Sequence, residues 1–321
     1  MKTINQILLL LSLLLCTQNS IAKPLEPLNL FDYLVRLNDL SHTPLDQKTV
    51  KVLSTENYRG CIVEETQFSV HDPLAHTFHL VKMAIYHPPM NKKIPAIVIV
   101  PTILGRTVLE NSVAYRFCMT NMVAAIADVN STATPDHLPD WELHDRMSRR
   151  AILEIKSLID YLVVQPQVDA TKIGAYGISL GAYTISLLAA VDPRLKSVVL
   201  ILGAGNMPAI LSNSQQRIPV KLRNLRMNAT GDKSVINYET NLRKSVNYDP
   251  IYMLNEPEPK KYFMLIDLDD TYVPTENQLE LWEKLGKPSH FDVHATHDQS
   301  ILAAVTVHFN RILNELTSRL K

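Results

Sequence analysis

Short apolar runs recur along this chain, and no other feature constrains its fold as much. AIVIV (96–100), VAAIADV (123–129), KIGAYG (172–177), SVVLILG (197–203), KYFMLIDL (261–268) and HFDVHA (290–295) read as strands. AIVIV shows no polar alternation, the pattern of a strand covered on both faces. Helix-length stretches lie between these runs, at 108–121, 145–164, 179–190 and 276–285. A final helix at 299–319 carries Ile301, Val305, Phe309, Ile312 and Leu316 as one apolar stripe. Strand and helix in alternation predict an α/β fold: a mostly parallel central sheet with helices on both faces. CIVEETQFSV (61–70) and HTFHLVKMAIYHP (76–88) come first, joined by a short Asp-Pro turn. That connection is too short for a parallel crossover, so the first pair of strands is antiparallel.

Neither a linker nor an internal repeat divides residues 58–321, which read as one domain. Within it, 204–259 breaks the rhythm. It is rich in Asn, Arg and Pro and reads as a small helical excursion. Residues 23–57 read as an N-terminal helical arm, in which Leu28, Phe31, Leu34, Val35 and Leu37 share a helix face. Residues 1–22 have the three segments of a secretory signal peptide: Lys2, the run ILLLLSLLLC, and small residues at Ser20 and Ala22 before the expected cut. The run is too short to cross a bilayer comfortably. The expectation is a periplasmic or secreted product with no stable membrane insertion once the signal is removed. Cys61 and Cys118 then remain. An exported protein can bridge such a pair, and a buried pair of free thiols fits equally well.

Charge excludes one class of partner. Lys plus Arg and Asp plus Glu number 32 each, and no long basic run appears, so nucleic acid is not an expected partner.

The chemistry centres on TKIGAYGISLGA (171–182). Gly177-Ile178-Ser179-Leu180-Gly181 is a G-x-S-x-G motif, weak alone, but here a strand ends at Gly177 and a helix begins at once. A turn that sharp strains the serine backbone and needs glycines two before and two after it. The chain has only nine glycines, and Gly174, Gly177 and Gly181 fall within this one stretch, which points to a local steric demand. The bend would lift the Ser179 oxygen above the sheet and leave the Leu180 amide free at the first helical turn, where it can meet negative charge. The competing reading is a plain helix N-cap.

A nucleophilic serine needs a base, and the base an orienting acid. KYFMLIDL runs into Asp269-Asp270-Thr271-Tyr272-Val273-Pro274, so Asp267, Asp269 and Asp270 compete, with the two beyond the strand end favoured. His297 lies in the loop before the final helix, whereas His294 should still lie in the strand. The order Ser, Asp, His, each past a strand end, suits this chemistry on an open α/β sheet. His294 and His297 are also spaced to hold a metal, but no acidic or cysteine cluster supports it; no metal and no cofactor are expected. The other histidines read as surface or satisfied side chains.

With these residues in place, the chain resembles an α/β-hydrolase, most of all the dienelactone-hydrolase branch with its secreted esterase and prolyl-oligopeptidase-like relatives. Residues 158–199 resemble the family's helix, nucleophile strand and following strand, and 269–288 resemble its acid loop. In that loop the acid stands three before Val-Pro, which selects Asp270, and His297 matches the base. The resemblance implies Ser179, Asp270 and His297 as catalytic residues, with an oxyanion hole from the amides of Leu180 and Ile103, Thr102 being the fallback for the second. Three departures stand out. Ala182 replaces a second glycine after the elbow, Asp267 stands where the acid strand often ends in glycine, and Pro101-Thr102-Ile103-Leu104-Gly105-Arg106 replaces the usual His-Gly.

The expected reaction is hydrolysis of a carboxylic ester through an acyl-enzyme, on a small or soluble ester. The excursion and the loop at 130–144 with Trp141 are candidates to cover the site, but neither is the long apolar segment that a lipid-surface lid needs. A peptidase of the prolyl-oligopeptidase type is the nearest rival, weakened because 23–57 cannot replace a propeller. An idle serine in a binding protein is the rival from another class.

Overall fold

The computed structural model of the chain describes residues 28–129 and 143–321. The expected signal peptide and most of the loop with Trp141 lie outside the described residues. The strands are β1 (Lys51–Tyr58), β2 (Cys61–Asp72), β3 (Thr77–His87), β4 (Ile94–Val100), β5 (Val123–Ala127), β6 (Val168–Ile178), β7 (Leu195–Ile201), β8 (Tyr262–Asp267) and β9 (Ser289–Val293). They form one sheet in the order β1-β2-β3-β5-β4-β6-β7-β8-β9. The β1–β2, β2–β3 and β3–β5 pairings are antiparallel, and every pairing from β5 to β9 is parallel. This is the mixed α/β sheet that the strand-helix rhythm predicts, and β1 extends its antiparallel side beyond the pair expected.

Helices cover both faces, and the pleat sorts them. Ala96, Val98, Val100, Ala175, Val198 and Leu200 point into one core with α3 (Leu143–Val163) and α4 (Leu180–Val191). The residues between them, Ile97, Ile99, Tyr176, Val199 and Ile201, point into the other. There they meet α2 (Val108–Met119), α10 (His297–Val305) and α11 (Phe309–Ser318). Burying both faces is why these strands carry apolar side chains at successive positions. Cys61 at the start of β2 and Cys118 in α2 form a disulfide, with Cα atoms 6.3 Å apart, which closes the question the sequence left open.

Three expectations are corrected. First, residues 51–57, placed in the helical arm, belong to the edge strand β1 (Lys51–Tyr58). All eight are exposed, so no apolar alternation betrays them. Arg59 and Gly60, both at positive φ, make the tight turn into β2. Second, α1 (Leu30–Asp39) forms as expected, but of the expected stripe only Leu28 and Leu37 pack on the core, joined by Tyr33, while Phe31, Leu34 and Val35 face outward. Polar ties fix that roll: Arg36 donates to the Asn247 carbonyl oxygen at 2.8 Å and lies over the Tyr252 ring. Third, the last helix is two. Val305-Thr306-Val307, three β-branched residues in a row, disfavours helix, and Thr306 leaves helical geometry (φ −119°, ψ −83°). The stripe survives the break, with Val305, Phe309, Ile312 and Leu316 all buried.

The excursion between β7 and β8 is helical, as read. It contains α5 (Met207–Asn213), α6 (Arg217–Thr230), α7 (Val235–Ser245) and the short α8 (Pro250–Met253); α9 (Thr275–Lys284) follows β8. Among the described residues no helix is long and apolar enough to cross a membrane.

Candidate active site

The loops that leave β4, β6, β8 and β9 gather at one edge of the sheet, because parallel strands all end on the same side. Ser179 follows β6 in a strained conformation, φ 54° and ψ −118°. Both flanking glycines are steric necessities. A Cβ on Gly177 would lie 2.5 Å from the Gly181 carbonyl oxygen, and one on Gly181 would lie 2.1 Å from that of Val100. Ser179 sits at the N-cap position of α4, yet its side chain makes no capping bond. The hydroxyl instead lies 3.1 Å from His297 Nε2.

His297 opens α10, where Thr296 and Gln299 form a capping box that fixes the start of the helix. Its Nδ1 lies 2.7 Å from Asp270 Oδ2. A carboxylate can only accept, so Nδ1 carries the proton and the Nε2 lone pair faces Ser179. The Asp270 side chain has no exposed surface, and that of His297 is 10% exposed. Asp270 also accepts from the amides of Tyr272 and Val273 at 2.7 and 3.0 Å and from Gln278 Nε2 at 3.2 Å. The Tyr272 ring stacks on the imidazole, with centroids 4.8 Å apart.

The two rival carboxylates are occupied elsewhere. Asp267 is fully buried and accepts from Ser300 Oγ at 2.6 Å and from the amides of Asp269 and Ala295, tying β8 to α10. Asp269 is exposed beside His294, 3.2 Å away. β9 ends at Val293, so His294 falls just past the strand and not within it.

Ile103 and Leu180 line the same cavity as Ser179. Among the described residues, neither backbone amide donates to a protein group. Ile103 sits in a turn where the amides of Gly105 and Leu104 return to Thr102, at 3.0 Å to its carbonyl oxygen and 3.3 Å to its hydroxyl. All five residues singled out from the sequence therefore meet at one place.

The comparisons with known proteins agree with this architecture. Residues 156–290 match the model of the BAAT / acyl-CoA thioester hydrolase C-terminal family, a range that holds Ser179 and Asp270 and stops before His297. The acetyl xylan esterase from Paenibacillus sp. R4 superposes with a TM-score of 0.71 over 93% of this chain and 98% of that one, at 15% identity. A putative dienelactone hydrolase from Klebsiella pneumoniae subsp. pneumoniae MGH 78578 gives a TM-score of 0.51 over 74% and 93%, at 14% identity. The chain therefore has the α/β-hydrolase fold. No curated protein sequence matches it.

Within this fold the excursion roofs the site. A cavity of about 80 Å³ opens beside Ser179, walled by Met207 and Ile210 of α5, Leu222 of α6, and Leu202, Ala204 and Val273. Tyr183 contributes its ring to the wall. Its hydroxyl donates to the Tyr248 carbonyl oxygen at 2.8 Å and lies 3.0 Å from His144 Nε2. Desolvation, with Arg226 nearby, pushes His144 down to about 3, so the imidazole is neutral. Behind α5, buried Asp249 accepts from the amides of Asn206 and Met207 at 2.9 and 2.8 Å and holds the start of that helix. A larger open groove, about 1050 Å³ and bordered by Tyr33, Leu37 and Lys261, holds none of these residues.

Sequence reasoning missed Tyr272, Gln278, Tyr183 and His144. Tyr272 stands two residues after Asp270 and was within reach of the acid-loop motif. The others converge from separate elements and leave no local trace.

Proposed function

We propose that this α/β-hydrolase is a serine hydrolase that cleaves carboxylic esters through an acyl-enzyme. The observation that carries the reading is the Ser179 hydroxyl, which leaves the helix it could cap and lies against the acceptor nitrogen of His297. In this reading Nε2 takes the Ser179 proton as Oγ attacks the ester carbonyl, while Asp270 holds the tautomer and steadies the imidazolium. The amides of Leu180 and Ile103 receive the oxyanion, each worth about 3 kcal/mol. His297 then protonates the departing alcohol, activates a water and returns Ser179 to its resting state. No step requires a metal or a cofactor.

Acetyl xylan esterases among the structural neighbours support an ester, and the thioester hydrolase family model keeps a thioester as a second reading. Export to the periplasm or beyond belongs to the same proposal; the Cys61–Cys118 disulfide supports an oxidising compartment.

A fluorophosphonate probe tests the reading. Wild type should label on Ser179 and hydrolyse p-nitrophenyl butyrate, and Ser179→Ala should do neither while keeping its circular dichroism spectrum. Undiminished turnover in Ser179→Ala would overturn it. A chromogenic peptide amide run beside the ester separates esterase from peptidase.

A further inference from the structure

We propose that the cavity beside Ser179 is an acyl-chain pocket that admits short, uncharged hydrocarbon acyl groups, their length limited by Met207, Ile210 and Leu222. The proposal rests on Ser179 being the nucleophile and assigns the half of the substrate that its reaction retains.

The direction follows from His297. The leaving oxygen must receive a proton from Nε2, so the alcohol half of the ester lies on the imidazole side of Ser179. The cavity touches Ser179, Leu180 and Ile103, and His297 is not in its wall; Tyr272, stacked on the imidazole, is the partition between the two. A carbonyl carbon bonded to Ser179 Oγ, with its oxygen toward the Leu180 amide, therefore sends its remaining substituent into the cavity.

The chemistry of the wall sets the class. Among the described residues, no charged, amide or imidazole side chain lines the cavity. The hydroxyl of Tyr183 is turned away to Tyr248 and His144. A charged or amino-bearing acyl group would lose its water here and find no partner, whereas each methylene that fits is worth about tenfold in kcat/KM. The limit on length comes from the excursion. Met207 and Ile210 are held by the Asp249 anchor of α5, and Leu222 closes from α6, where Ile218, 37% exposed, marks the open rim.

The test is the acyl-length profile of kcat/KM. p-Nitrophenyl esters from acetate to decanoate, and an aminoacyl ester with a free α-amino group, are compared in wild type, Leu222→Ala, Met207→Ala and Leu222→Trp. Fluorophosphonate labelling counts active Ser179 in each preparation. Wild type should fall at least about tenfold between its preferred short ester and decanoate and should disfavour the aminoacyl ester by about a hundredfold. The two alanine variants should shift the preferred length upward, and Leu222→Trp should shift it downward. Fully labelled protein with a flat profile, with the same profile in all four forms, or with equal use of the aminoacyl ester overturns the pocket and leaves the nucleophile standing. Wild type that does not label overturns the nucleophile, and the pocket with it.

Discussion

Three carboxylates crowd the end of β8 and the loop after it and meet three fates, so substitution there discriminates between roles at single-residue resolution. Asp270→Asn should lower kcat on a short ester by about 10⁴-fold, because an amide no longer enforces the Nδ1–H tautomer of His297. Asp269→Asn removes only an exposed contact with His294 and should leave kcat within about twofold. Steady-state kinetics on the two variants checks this, and similar losses in both would contradict the assignment. Ser179, with its strand, its bend and its glycines, was legible from the sequence because the steric requirement is local. The choice among Asp267, Asp269 and Asp270 was not decided by spacing alone; the acid-loop motif selected Asp270, and its environment accounts for the choice. Gln278 and Tyr183 left no trace because side chains meeting from different elements impose no periodicity.

Elements were legible where burial imposes a pattern and illegible where it does not. The doubly covered strands stood out, whereas β1, exposed along its whole length, did not. The break between α10 and α11 was hidden because the apolar stripe runs through it. The helix α3 carries a testable anomaly. Glu154 is buried beside Arg150, with Nε 2.5 Å from its carboxylate, and burial nonetheless pushes its carboxyl up to about 7. A raised carboxyl value means that the stability it contributes is whole below about pH 4.5 and is lost as pH rises through 7. Relative to Glu154→Gln, wild type should lose about 2 kcal/mol between pH 5 and pH 7.5. Urea unfolding at the two pH values measures the difference, and a pH-independent gap would show that the carboxyl is already ionised at pH 5.

For the whole molecule, the disulfide between β2 and α2 joins the antiparallel end of the sheet to a helix on one face, closing a loop with a sequence separation of 57. Replacing both cysteines by alanine should cost about 4 kcal/mol of stability. Denaturant midpoints of the variant should match those of reduced wild type, and no shift in either would mean the bridge is dispensable. The sequence named this pair but not its state, since separation along a chain carries no geometry. The order of the sheet has a last consequence. Asp270 and His297 arrive with β8 and β9, the final two strands at one edge, long after the bend at Ser179 has left the ribosome. On the proposed mechanism, a nascent polypeptide thus carries its hydroxyl with nothing to deprotonate it, and gains its base only when the C-terminal margin zips closed.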